Sequence, residues 1–193
     1  MFLDNRRMKL FFKESQTIFT VSYVIAIGIG MLFMYQKYAE FGINIFDYAG
    51  VFDFLIAPFS DFRILFFTVG SLLVTYLIYL IDKFYQRRYP RAYSKANFGL
   101  DRKYWYRSLR NISAFVLFIL YLGISAFTYG SISKKEILEQ TPIQVTFVDN
   151  QTKTGQMIGK TKEVLFLANE NTVEVIPITS LVKEIRVNQF NVK

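Results

Sequence analysis

Three stretches of the chain carry no charged residue, and their lengths set the architecture. Thr17 to Tyr35 is an uncharged run of 19 residues; Ile64 to Ile81 is a second, of 18, and Ile112 to Ile132 a third, of 21. The hydrocarbon slab of a bilayer is about 30 Å thick and a helix rises about 1.5 Å per residue, so each run predicts a membrane-spanning helix. Three helices apolar on every side would find nothing amphipathic to cover them in a soluble chain of 193 residues. A cleaved signal sequence fits the first run poorly. Signal cores are about 7 to 15 residues long and end in small residues, whereas this run ends Met34-Tyr35-Gln36-Lys37-Tyr38. It predicts an anchor that stays.

From Gln140 the pattern changes to short alternation. Ile143, Val145 and Phe147 alternate with Gln144 and Thr146, Asp149-Asn150 and the region of Gly155 read as a turn, and Val164 to Leu167 is a compact apolar strand. Asn169-Glu170-Asn171 is the next turn, Val173, Val175 and Ile176 lead to Pro177, a short turn follows at Thr179-Ser180-Leu181, and Val182, Ile185 and Val187 close the series. Gly155 and Gly159 suit a β-bulge. The spacing predicts a small antiparallel β domain whose fold resembles an SH3-like or Sm-like barrel, a likeness that carries no activity. A unit this small needs support, either from other subunits or from the membrane-proximal loop. The chain thus divides into a basic N-terminus at 1–16, spans at 17–35, 63–82 and 112–132, loops at 36–62 and 83–111, and a β domain over 133–193.

Charge orients this plan. Four cations (Arg6, Arg7, Lys9, Lys13) precede the first span, Lys37 alone lies in loop 36–62, and nine lie in loop 83–111. The positive-inside rule then predicts a cytoplasmic N-terminus and second loop, an outward loop 36–62, and an extracytoplasmic C-terminus in a bacterial-type inner membrane. The eight cations of the tail do not oppose this, because long segments translocate largely regardless of charge.

Composition removes most chemistry. The chain has no cysteine and no histidine, which excludes disulfides, thiolate nucleophiles, imidazole bases, and metal sites built on either ligand. No phosphate-cradling loop, dinucleotide fingerprint or nucleophile elbow is present. The expectation is a protein that is not an enzyme, with no catalytic residue, metal or cofactor.

Three features remain. The outward loop from Phe41 to Pro58 is as apolar as a core and also acidic, so it belongs in or on the bilayer as an interfacial or re-entrant element. A helix over 45–57 would place Asp47, Gly50 and Asp53 on one stripe. Copies around an axis would then make an acidic outer mouth from Asp47 and Asp53, with Asn44 beside them, for a cation pathway. An acid and base pair from the same carboxylates lacks an accompanying nucleophile or metal ligand. Second, Ser22, Ala26 and Gly30 in the first span, and Ala126 and Gly130 in the third, form small-residue faces that suit helix packing within the chain or between copies. No charged residue lies inside a run, which disfavours ion-coupled transport.

Third, loop 83–111 mixes aromatic residues with Arg87, Arg88, Arg91, Lys95, Arg102, Lys103, Arg107 and Arg110 against the single acid Asp101. Beside a bilayer it predicts binding of anionic lipid headgroups, at about 1 kcal/mol per cation. The same composition describes a nucleic-acid surface, but orientation already requires this charge, so no nucleic-acid partner is expected. Two functions follow as expectations. One is a homo-oligomeric membrane protein of channel or pore type. The other is a membrane-anchored binding or scaffold module whose β domain engages a protein partner.

Overall fold

The computed structural model describes residues 2–169, 172–178 and 182–186. Five helices come first: α1 Phe2–Ala39, α2 Val51–Ser60, α3 Phe62–Arg88, α4 Pro90–Ala96 and α5 Tyr106–Glu139, with 3-10 turns at Ile45–Asp47 and Leu100–Arg102. Five strands follow: β1 Ile143–Phe147, β2 Thr152–Lys160, β3 Val164–Asn169, β4 Thr172–Pro177 and β5 Val182–Arg186.

Three helical segments, Ser15–Ala39, Phe62–Arg88 and Tyr106–Glu139, are long and apolar enough to cross a membrane. They outrun the uncharged stretches because Lys, Arg and Glu are good helix formers and do not end a helix. Their outward surfaces are mainly apolar: Ile18, Phe19, Val24 and Ile25 on α1, Phe66, Leu73 and Tyr76 on α3, and Phe115, Leu120 and Phe127 on α5 are all exposed. Inside, Phe33, Ile64, Leu122, Ala126 and Tyr129 form a core where α1, α3 and α5 meet. Between α3 and α5 runs a seam of buried hydroxyls. Thr68 and Thr75 donate to the carbonyls of Ile64 and Ser71, one turn back, and Ser71 meets Ser125 at 2.9 Å. Each hydroxyl is thereby satisfied without water, as an apolar surrounding requires.

The sheet is antiparallel in the order β4-β3-β2-β1-β5. The expected barrel is not formed: among the described residues β4 and β5 remain as two separate edges. Closure is not needed to hide apolar surface, because β3 is covered on both faces. Leu165 and Leu167 enter the sheet's own core with Ile143, Val145 and Ile176. Phe166 and Ala168, on the opposite face, enter a core shared with Tyr38, Ile43, Ile45, Phe54 and Ile137 from the helices and the loop between α1 and α2. The β domain is thus seated on the membrane-proximal loop, one of the two supports expected for it.

Several local readings change. Gly155 lies inside β2 opposite Ile143 instead of in a turn, and a Cβ on it would come within 2.6 Å of the Ala168 carbonyl oxygen. The turn sits earlier, where Asn150 adopts a positive φ of 62°. The bulge expected of Gly159 is present, where the β2–β3 register shifts between Met157 and Gly159. The expected Thr179-Ser180-Leu181 turn, Glu170 and Asn171 of the expected turn at 169–171, and Val187 lie outside the described residues.

Candidate functional site

Apart from the hydroxyl seam, the charged residues of the helical part gather at its two ends. At the sheet-side end, α2 turns into α3 at Asp61. Its carboxylate caps α3 by accepting the Arg63 N–H at 3.0 Å, and it also accepts Nε and Nη2 of Arg63 at 2.9 and 2.7 Å and the Tyr129 hydroxyl at 2.9 Å. Arg63 reaches Glu136 with its remaining nitrogen and lies over the Tyr129 ring. Burial alone would raise the Asp61 carboxyl, but the hydrogen bonds from Arg63 and Tyr129 and the adjacent guanidinium charge outweigh it and hold the carboxyl below the usual range. Alongside, Lys134 donates to the Glu40 carbonyl at 2.6 Å and Ser131 to its carboxylate at 2.9 Å, clasping α1 to α5.

Sequence reasoning missed this cluster. A signal for it does exist: Tyr129 and Glu136 are two helical turns apart on one face of α5, and Asp61-Phe62-Arg63 stands at the start of a span. Beside the cluster lies an open cavity of about 540 Å³ between α1, α2, α3 and β2, lined by Lys37, Asp53, Arg63 and Lys160 among others.

The acidic stripe does not form. A continuous helix over 45–57 is interrupted, because Gly50 is extended (φ −88°, ψ 170°) and caps a new helix at Val51. Asp53 accepts the Gly50 N–H at 2.9 Å, three residues back, while Asn44 donates to Asp47 at 3.0 Å across a separate 3-10 turn. Asp47 and Asn44 are exposed and Asp53 faces the cavity, so the three are not brought together.

The small residues divide. A Cβ on Gly30 would lie 1.8 Å from the Phe54 carbonyl oxygen, so α2 docks directly on the α1 backbone. Pro58, four residues after Phe54, has no N–H to offer that carbonyl, which leaves it facing α1. Gly130 likewise admits the Gln36 carbonyl, which a Cβ would approach to 2.8 Å, and Ala126 is fully buried. Ser22 is exposed and Ala26 half-buried.

At the opposite, basic end, Tyr93 is the buried centre. Its hydroxyl lies 3.0 Å from the Asp82 carboxylate and 2.7 Å from the Tyr106 hydroxyl, which is itself 3.0 Å from Asn97 Oδ1. Two hydroxyl protons can make only two of these three hydrogen bonds at a time. Burial first, then these hydrogen bonds, push the Tyr93 phenol above its ordinary range.

Arg87, Arg88, Arg91, Lys95, Arg102, Lys103 and Arg107 are exposed. Arg110 is not with them: it turns inward to donate to Gln86 at 2.9 Å and to lie over the Tyr79 ring, with Asp82 at 4.0 Å. Among the exposed cations stand Phe98, 92% exposed and at a positive φ of 53°, and Tyr104, 95% exposed.

No protein-family model, curated protein or solved structure matches this chain.

Proposed function

We propose that this chain is a membrane-anchored binding or scaffold module and not an enzyme. The three helices hold a β sheet at the extracytoplasmic surface of an inner membrane, and the sheet's edge strands engage a protein partner. The observation that carries this reading is the shared apolar core in which Tyr38 and Tyr48 meet the Phe166 ring at 5.1 and 5.4 Å. Anchor and sheet therefore move as one piece, and a partner bound to the sheet is held at a set distance from the bilayer. Edge strands offer unpaired backbone groups to an extended segment. The polybasic, aromatic segment at the other end rests on anionic headgroups and fixes the orientation. The channel-type oligomer draws less support, since Asp47 and Asp53 each serve a turn or cap of their own chain.

A photo-crosslinking amino acid placed at Val175 on β4 or Glu184 on β5 of the full-length protein, in its native membrane, tests this. The expected result is one adduct of discrete mass, absent when the group replaces Phe66 on the exposed side of α3. Homo-oligomer ladders from both edges, together with ion flux through reconstituted protein, would establish the channel-type reading instead. No adduct from either edge overturns the module.

A further inference from the structure

The cavity beside Asp61 has an unbalanced lining. Lys37, Arg63 and Lys160 face it, with Asp53 and Asp61 as the carboxylates. Arg63 and Asp61 bind each other, Arg63 also binds Glu136, and Asp53 accepts the Gly50 N–H. Among the described residues, Lys37 and Lys160 take no hydrogen bond and no ion pair, and neither does the Tyr38 hydroxyl. Lys37 Nζ lies 5.6 Å from the centroid of the Tyr38 ring, a contact that supplies no hydrogen-bond acceptor, so donors without acceptors converge on one space. Gly159 keeps that space open: a Cβ there would stand 2.3 Å from the Tyr38 hydroxyl and 3.6 Å from Lys37 Nζ.

Apolar side chains line the same cavity beside these groups, Met34 one helical turn before Lys37 on α1 and Ile56 on α2. The depth of the cavity is also distinctive. Lys37 lies in the last turn of the first spanning segment and Arg63 in the first turn of the second, so the cations stand where an apolar slab gives way to polar surroundings. Lipid phosphates occupy that level in a bilayer.

We propose that this cavity binds the phosphate of an anionic lipid, with Lys37 and Lys160 as the counter-charges, the Tyr38 hydroxyl as a further donor, and the acyl chains along Met34 and Ile56. The phosphate supplies the acceptors that the two ammonium groups lack within the chain. A free phosphate ion offers the same head but leaves Met34 and Ile56 uncovered, so the lipid is the better occupant. This site is separate from the polybasic surface at the other end of the helices, and it does not depend on which partner the β sheet engages.

Native mass spectrometry of the full-length protein, titrated with phosphatidylglycerol or with phosphatidylcholine of the same chains, tests the assignment. Wild-type protein is expected to retain one phosphatidylglycerol in preference to phosphatidylcholine. Lys37→Gln combined with Lys160→Gln should weaken that step about thirtyfold, and Lys37→Arg should preserve it. Arg87→Gln with Arg88→Gln, at the far end, should leave it intact. Lys160 is exposed, so Lys160→Gln alone supplies a variant whose folding is not in question, and it should show a smaller loss of the same kind. Retention unchanged in both lysine variants overturns the site. Displacement of the lipid by millimolar inorganic phosphate overturns the lipid as its occupant and leaves a soluble-anion site.

Discussion

Asp61 and Arg63, two residues apart, bind each other three times: the carboxylate accepts the backbone N–H, Nε and Nη2 of Arg63 at 3.0, 2.9 and 2.7 Å. One aspartate thus starts α3 and fixes the arginine that reaches across to Glu136 on α5. The α2–α3 corner and the end of α5 are joined through this pair.

Its pH dependence has a definite sign. The folded Asp61 carboxyl titrates below its unfolded value of about 3.9, so the stabilisation is fully present above that value and is lost as pH falls through the folded one. Asp61→Asn should lower stability in detergent by about 2 kcal/mol at pH near 7, and by clearly less at a pH well below about 3.9, where the advantage of the charged form in the folded protein is being lost. Chemical unfolding at the two pH values measures both. Equal losses would mean that the charge of Asp61 contributes nothing.

The two glycine contacts make a sharper contrast. Gly30→Ala drives a methyl into the Phe54 carbonyl and Gly130→Ala into that of Gln36, so each should cost about 2 kcal/mol or more. A Cβ at Gly28 or Gly123 meets nothing within 4 Å, and alanine there should be neutral or gain about 0.5 kcal/mol in helix propensity. Unfolding of the four variants in one detergent compares them directly. The same loss at all four positions would show that helix propensity or contacts between copies, not docking within the chain, governs these glycines.

The hydroxyl seam should behave as a pair, not as a conduit. A double-mutant cycle of Ser71→Ala and Ser125→Ala is expected to give a coupling of about 0.6 kcal/mol, with both single variants still folded. Zero coupling would remove the interhelical hydrogen bond from the account of how α3 and α5 recognise each other.

Trp105 is the only tryptophan of the chain and stands between Tyr104 and Tyr106 at the basic end. In liposomes its emission should be quenched most by lipids brominated near the headgroup, and more strongly when anionic lipid is present. Phe98→Ala should reduce that quenching, because Phe98 is the most exposed apolar side chain of this segment after Tyr104. Emission indifferent to brominated lipid would place this end away from the bilayer.

Much of the fold is written locally and was therefore readable. Charge-free runs mark the three apolar helices because crossing hydrocarbon demands length and apolarity from each segment independently. The strands beginning at Ile143 and Val164 are visible because alternation and β-branched runs are properties of neighbouring residues.

The candidate site was not readable in the same way. Asp61, Arg63, Tyr129 and Glu136 meet across 75 residues of sequence, and Lys37 faces Gly159 across more than 120. Periodicity carries no information about such distances. The expected stripe of Asp47 and Asp53 failed for a local reason, since Gly50 favours a cap over a continuous helix and Asp53 completes that cap.

What the sequence by itself determined is the membrane-compatible set of helices, the existence and rough position of the strands, and the asymmetry of charge along the chain. Only the tertiary structure decided that, among the described residues, the sheet stays open, that Gly30 and Gly130 admit neighbouring backbones, that Arg110 turns inward, and that Lys37 and Lys160 share a cavity without a hydrogen-bond acceptor or ion pair among those residues. The physical reason is that burial and charge pairing are settled between segments. A residue's type limits what it can bind, whereas its partner is chosen by what the packed chain brings within about 3 Å of it.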